Sequence, residues 1–483
     1  MNCFDYFFEN TRTLEKDLIP GSRESTSYQS VYERSGRLAC FLQEKVGNGK
    51  NILLVSQNNL LFIIAYLAIL KSGNTCIPLN PETEQDNLNF ILKKTQSSFG
   101  FFSDFALSKL KVSIDVVSES ALPELIAKQP AFKNFDADFD GDKVAEIIFT
   151  SGSTAAPKGV MLTHTNIIAN TGSIIQYLQL KENDRMLVVL PFFYCYGLSL
   201  LHTHLRVGGQ VVLNNNFIFL GSTIKNLASY ECTGFAGVPS HFQILLRKTD
   251  LFRNSEFPAL RYVTQAGGKL PDSFIDEFVQ AFPEVNFFVM YGQTEATARL
   301  SYLPPEMLKK KAGSLGKGIP GVELKVVNAD GQPVVPGETG EIIAKGKNVM
   351  AGYFEDPEET AKALRNGWLY TGDLAIVDEE GYIYLTAREK EIIKVGGKRI
   401  SPKEIEEVIA MLPGVIDCSV KAVEDELLSE GIKATVIIAE SHPDITEQSI
   451  KIFCSTRLSK YKIPSVIEIK KNISLSATGK KVV

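Results

Sequence analysis

The chain is 483 residues long, 44% hydrophobic and 22% charged, a globular mixture that excludes disorder, collagen and coiled coil for most of its length. At roughly 150 residues per domain it holds about three domains, or one large domain with a smaller companion. Fifty-one Lys and Arg against fifty-six Asp and Glu give a net charge of −5, so no bulk positive field would hold a nucleic acid.

The seven cysteines are odd in number, scattered and without a C-x-x-C pair, which points to a reduced, cytoplasmic setting. Met1 to Glu9 lacks the basic and apolar segments of a secretion signal. The longest apolar run, Leu60 to Leu70, is eleven residues against the ~20 that span a bilayer, and reads as a buried helix rather than an integral membrane segment.

In chain order, Ile52 to Val55 predicts a strand ahead of the Leu60–Leu70 helix, and Val144 to Thr150 a strand ahead of a helix over Asn166–Leu178. Such alternation predicts α/β layers, with helices over largely parallel sheets. From Gly313 to Gly340, glycines and prolines punctuate short alternating runs such as Val322 to Val327, which predicts a β-rich lobe. After Leu385 a charged stretch leads into an amphipathic helix over Pro402–Leu412 and short strands near Cys418–Ala422 and Ala434–Ala439. The expected organisation is a large N-terminal domain over 1–386 and a small α+β domain over 387–483.

Five segments carry chemistry. Thr150-Ser151-Gly152-Ser153-Thr154-Ala155-Ala156-Pro157-Lys158-Gly159 follows an apolar strand; its small residues, hydroxyls and lysine suit it to wrap a polyphosphate, although it lacks the Walker A spacing. Tyr291-Gly292-Gln293-Thr294-Glu295 follows the apolar run Val285–Met290, at a strand end where an open α/β sheet binds ligands; the ring could stack on a purine, and Thr294 and Glu295 could reach phosphate and Mg²⁺. Asp373, in a turn within Trp368–Leu374, could accept from two ribose hydroxyls. Six basic residues between Arg388 and Lys403 outnumber Glu389 and Glu391. The fifth, Leu475 to Lys480, stands next to the last residues of the sequence. Each alone has an ordinary reading as a polar turn, a capped loop, a solvated face or a surface lysine.

Together, in this order, they resemble the adenylate-forming superfamily of acyl-CoA and aryl-CoA synthetases, luciferases and adenylation domains, over about Tyr28 to Lys480. Pro191 to Leu198 looks like that family's acid-pocket segment and Gln265-Ala266-Gly267-Gly268-Lys269-Leu270 like its adenine-side turn. The resemblance implies ATP-dependent activation of a small-molecule carboxylic acid to an acyl-adenylate, then transfer to a phosphopantetheine thiol of coenzyme A or of an acyl carrier protein. It also implies a C-terminal domain that rotates between two poses on a hinge at Lys390. By the same resemblance Thr150, Ser151, Ser153, Thr154 and Lys158 form the phosphate loop, with Gly267, Gly268, Tyr291 and Gly292 around the nucleotide. Thr294 would contact the α-phosphate, Glu295 would hold Mg²⁺, and Asp373 and Arg388 the ribose. Lys480 would offset charge in the adenylating transition state, and Gly396 and Gly397 would line the thiol channel. A non-catalytic nucleotide-binding relative is the reading from another class.

Three positions depart from the family pattern: Ala155, Ala387 and Ser476. Gly316 to Gly321 fits G-x-G-x-x-G, but a strand pattern follows it, which rejects a dinucleotide site. His202 and His204 lack a third metal ligand and read as structural. The acid pocket that the resemblance implies draws on Tyr194, Tyr196, His241 and Arg299, with Phe193, Val238 and Thr297 beside them. By the same resemblance Tyr194 matches the position at which the family's amino-acid-activating domains carry an aspartate to pair with the α-amino group, which disfavours amino acids. Arg299 and Lys269 flank the pocket; solvent exposure is the ordinary expectation for both, and an inward turn of either would imply a second anionic or polar group on the substrate.

Overall fold

Residues 1–22, 24–133, 140–150, 157–388, 392–395, 398–425 and 429–470 are described in a computed structural model of the chain. The predicted α/β alternation forms two seven-stranded sheets. The first runs Gly352–Tyr353, Lys158–Thr163, Val144–Thr150, Thr75–Leu79, Asn51–Val55, Phe99–Phe102, Asp115–Ser118, parallel except at the Lys158–Thr163 edge. The second runs Lys317–Gly318, Ser301–Leu303, Asn286–Tyr291, Tyr262–Gln265, Gly234–Gly237, Arg185–Val188, Gln210–Leu213, and its last five strands are parallel.

One core joins both sheets. Ile52, Leu54, Cys76 and Ala145 from the first and Met186, Val188, Tyr262 and Met290 from the second pack with the helices Leu60–Lys71, His164–Leu178 and Cys195–Val207. The helix Leu60–Lys71 is apolar on every face up to Leu70 and is buried from Leu61 to Lys71, as an all-round apolar helix in a folded core is. Its one cation, Lys71, reaches Asp5 at 2.8 Å. Among the described residues no helix is long and apolar enough to cross a membrane.

The β-rich lobe is an antiparallel sheet of Val322–Val327, Gly340–Gly346, Trp368–Val377 and Leu364–Arg365, with Ile383–Arg388 paired to Trp368–Val377. The strands Lys317–Gly318 and Val322–Val327 take up the G-x-G-x-x-G stretch, and no helix follows it. Beyond it, Ile405, Ile409, Val420, Ala434, Ile450 and Ile467 form a separate core under a sheet of Val415–Asp425, Ser429–Ile438 and Val466–Lys470. Two expectations are corrected there. The strands near Cys418 and Ala434 form a hairpin of 11 and 10 residues rather than short pieces. The helix ends at Ala410, not Leu412, because Pro413 disfavours helical backbone before it and Gly414 turns at φ +85°.

This C-terminal unit docks on the helices Pro239–Arg247 and Asp272–Ala281. Arg247 donates to the carbonyls of Ala410, Leu412 and Val415 while pairing with Glu277. Gln243 donates to Asp417 at 3.0 Å, and Lys269 pairs with Glu407 at 2.7 Å.

Candidate active site

The strand Asn286–Tyr291 ends at Gly292, where an added Cβ would meet the Ala298 carbonyl oxygen at 2.0 Å, so only glycine fits. The chain then makes a 3-10 turn, Thr294–Ala296, and reverses at Thr297, whose φ of +66° is rare for a β-branched residue. Two hydrogen bonds hold that strained residue: its hydroxyl donates to the Asn348 carbonyl at 2.7 Å, and its N–H to the Thr294 carbonyl at 2.9 Å. Thr294 is thereby set against the start of the helix Cys195–Val207, its hydroxyl 3.5 Å from Cys195 Sγ. Glu295 accepts a hydrogen bond from the Tyr353 hydroxyl at 2.9 Å.

Lys158 opens the strand that follows the hydroxyl-rich loop, with Thr150 as its partner across the ladder. Its ammonium pairs with Glu359 and lies 5.3 Å from the centre of the Tyr353 ring. That pairing, with Lys362, holds the Glu359 carboxyl well below the usual range. Burial, then the neighbouring Glu295, pushes the Tyr353 phenol up. A polar group of Lys158, Tyr353, Glu359, Glu295 and Thr294 therefore forms where the two sheets and the β-rich lobe meet.

Asp373 corrects an expectation: it lies inside the strand Trp368–Val377, not in a turn, and is 3% exposed. Tyr291 donates to it at 2.7 Å, and the ladder sets its Cα opposite that of Arg388. The strand register thus brings together the two residues expected at one ribose. Gly267 turns at φ +86° beside Gly268, and a cavity of about 410 Å³ opens there, lined by Gln265, Gly268, Asp272, Met290 and Ser314 among others. Thr294, Glu295 and Lys158 are not on its wall. Burial, then Glu407, pushes the Asp272 carboxyl up to about 6.

Of the residues expected in the acid pocket, Tyr194, Tyr196 and Arg299 meet at the start of one helix, while His241 stands on another, Pro239–Arg247. Tyr194 is the N-cap residue of Cys195–Val207, half-buried, with its ring centre 5.2 Å from that of Phe193. Tyr196 is buried and donates to the Thr264 carbonyl at 3.0 Å. His241 accepts from the Val238 N–H at 3.3 Å and packs 4.2 Å from Phe217; burial pushes its imidazole down to about 3, so it is neutral. Arg299 overturns the expectation of solvent exposure: it is 2% exposed, with its guanidinium 3.9 Å over the Tyr196 ring. Lys269 is instead spoken for by Glu407. His202 and His204 are buried and hydrogen-bonded, His202 to the Tyr66 hydroxyl at 2.7 Å and His204 to the Leu200 carbonyl at 2.8 Å.

Ser151, Ser153, Thr154, Ala155, Lys390, Gly396, Gly397 and Lys480 lie outside the described residues, as does the side chain of Arg388. Tyr353, Glu359, Cys195 and Asn348 were not among the sequence candidates. Glu359 sits in a helix start capped by Asp356, an ordinary pattern, and only the fold carries it to Lys158 across 201 residues of chain.

The polar group thus lies where two largely parallel seven-stranded sheets meet, and a separately cored C-terminal unit docks on the larger part. The chain belongs to the AMP-binding enzyme family, the adenylate-forming superfamily: that family description matches residues 8–354, and the AMP-binding enzyme C-terminal domain matches 404–480. It is 31% identical to an oxalate–CoA ligase of Arabidopsis thaliana over 89% of this chain and 87% of that protein. It is 32% identical to a 2-succinylbenzoate–CoA ligase of Bacillus pumilus over 93% and 89%, and 29% identical to a long-chain-fatty-acid–CoA ligase of Escherichia coli over 95% and 89%. The anthranilate CoA ligase AuaEII with anthranoyl-AMP superposes with a TM-score of 0.91 at 22% identity, covering 100% of this chain and 95% of that one. The o-succinylbenzoate CoA synthetase of Bacillus subtilis with its acyl-adenylate gives 0.84 at 27%, covering 99% and 96%. Within the family the chain is an AMP-forming acid–CoA ligase.

Proposed function

We propose that the residues gathered around Thr294 carry both steps of the ligation: attack of a carboxylate on the α-phosphate of ATP with loss of pyrophosphate, then displacement of AMP by the thiol of coenzyme A. The observation that carries this reading is the convergence of Lys158, Thr294, Glu295, Tyr353 and the Tyr291–Asp373 pair on one sheet junction. The Thr150–Lys158 hairpin supplies donors and one cation to the phosphates. Thr294 orients the α-phosphate, and Asp373 with Arg388 accepts and donates at the ribose. Tyr291, buried and tied to Asp373, gives the adenine a wall beside the Gly267–Gly268 turn.

Magnesium fits the donors present, since Glu295 offers one carboxylate and Mg²⁺ is ordinarily held by one or two carboxylates with phosphate oxygens and water. When bound it neutralises phosphate charge. Lys480 approaches the attacking carboxylate in one pose, and Gly396 and Gly397 line the thiol path in the other. The boundary near Ala387, with Lys390, is the hinge between them. A cytoplasmic setting is consistent with the cysteines, none of which is in a disulfide.

ATP–pyrophosphate exchange with Mg²⁺ across aliphatic, aromatic, dicarboxylic and amino acids tests the first step without a thiol. Coenzyme A and an acyl carrier protein are then compared as acceptors. Exchange with an acid and thioester formation on coenzyme A are expected; transfer to the carrier protein alone would overturn the assigned acceptor.

A further inference from the structure

The loop from Gly292 to Leu300 closes on itself, Leu300 N–H donating to the Tyr291 carbonyl at 2.9 Å, so Arg299 is delivered back onto the sheet just before the return strand Ser301–Leu303. Its guanidinium enters the interior between the helix Cys195–Val207 and the strand Asn286–Tyr291, over the ring of Tyr196. Nε lies 3.3 Å from Met290 Sδ, a weak acceptor, and Nη1 donates to the Ala298 carbonyl at 3.2 Å. Among the described residues no carboxylate pairs with it, although every other arginine near the second sheet, Arg185, Arg247 and Arg261, has one. A guanidinium keeps its charge in proteins, so a cation rests here in the interior with only neutral partners, Met290, the Ala298 carbonyl and the Tyr177 hydroxyl. A buried cation left in that state is costly, and the matching group for a planar fork is a carboxylate.

The position supplies the direction. Cys195 touches Thr294, which marks the reacting end, and Tyr196, the next residue, carries the Arg299 guanidinium on its face. Thr294 and Arg299 thus stand against adjacent residues at the start of one helix.

We propose that Arg299 binds a second carboxylate of the substrate, so that the acids activated are dicarboxylic. This rests on the acid-activating reading above. The guanidinium provides charge and a two-pronged hydrogen bond to the distal carboxylate, while Tyr196 fixes its plane. A monoacid of the same length leaves the cation unpaired, and a site built to bond a group rejects the analogue lacking it by factors of about 10⁴ in favourable cases.

The test measures kcat/KM for ATP–pyrophosphate exchange with full-length protein, ATP and Mg²⁺. Straight-chain diacids from malonate to adipate and aromatic diacids are each paired with the monoacid lacking the second carboxylate. The expected result is a preference of about a hundredfold or more for one diacid over its partner. Arg299→Met should collapse that ratio through KM, and Arg299→Lys, which keeps charge but loses the fork, should restore part of it. Preference for monoacids in the native protein, or a ratio unmoved in a folded Arg299→Met, overturns the proposal and leaves adenylation standing. No exchange with any acid in protein that binds ATP removes the acid-activating reading and this proposal with it.

Discussion

At Tyr291 the hydroxyl that holds Asp373 is the smallest part of the site whose loss can be read separately from folding. Tyr291→Phe removes one hydrogen bond to a charged acceptor and keeps the ring, a change of about 1.5–3 kcal/mol for such bonds. KM for ATP should rise about tenfold, with kcat changing much less, in steady-state exchange kinetics. Lys480 acts differently, because the proposed role is confined to the transition state of one half-reaction. Lys480→Ala should lower acyl-adenylate formation about a hundredfold or more while thioester formation from supplied acyl-adenylate persists. Equal loss in both half-reactions would remove that role.

Among the elements, the hairpin that ends at Lys158 and the helix Pro357–Ala363 meet through Lys158 and Glu359. The pair is partly exposed, so it contributes about 1 kcal/mol or less to stability, and in the proposed site its consequence lies in where the ammonium rests before ATP binds. Glu359→Gln should release Lys158 and tighten ATP binding a few-fold by calorimetric titration, with the melting temperature nearly unchanged. Weaker ATP binding would instead mean that Glu359 positions the lysine.

Across the whole molecule, stability carries a pH signature from the core between the sheets. Burial pushes the Glu146 carboxyl up to about 8, so near neutrality it is protonated; it meets the Tyr66 hydroxyl at 3.0 Å, which also meets His202. Because the folded value is raised, this contribution is fully present below the ordinary carboxylate range and is lost as pH rises through about 8. Glu146→Gln keeps the hydrogen bond without the charge and should gain in urea midpoint relative to the native protein between pH 5.5 and 8.5. Arg247 acts at the same scale, since its bonds to three carbonyls tie the C-terminal unit to the larger one. Arg247→Met should speed limited proteolysis between residues 387 and 403, read by mass spectrometry of the fragments.

Local pattern determined a good part of this protein. Period and punctuation marked the strand Val144–Thr150, the apolar run Leu60 to Leu70 as a buried helix, and the β-rich lobe, because each is set by near neighbours in the chain. The same holds for the five segments, whose residue types suit phosphate, ribose and thiol chemistry wherever they stand. The tertiary structure alone decided that Asp373 sits mid-strand opposite Arg388, that Glu359 reaches Lys158, and that Arg299 is buried on Tyr196 rather than solvated. Each depends on strand register or on packing between segments far apart in sequence. A charge has no periodicity of its own, and whether it meets water, a partner or a substrate is settled by the elements that close over it.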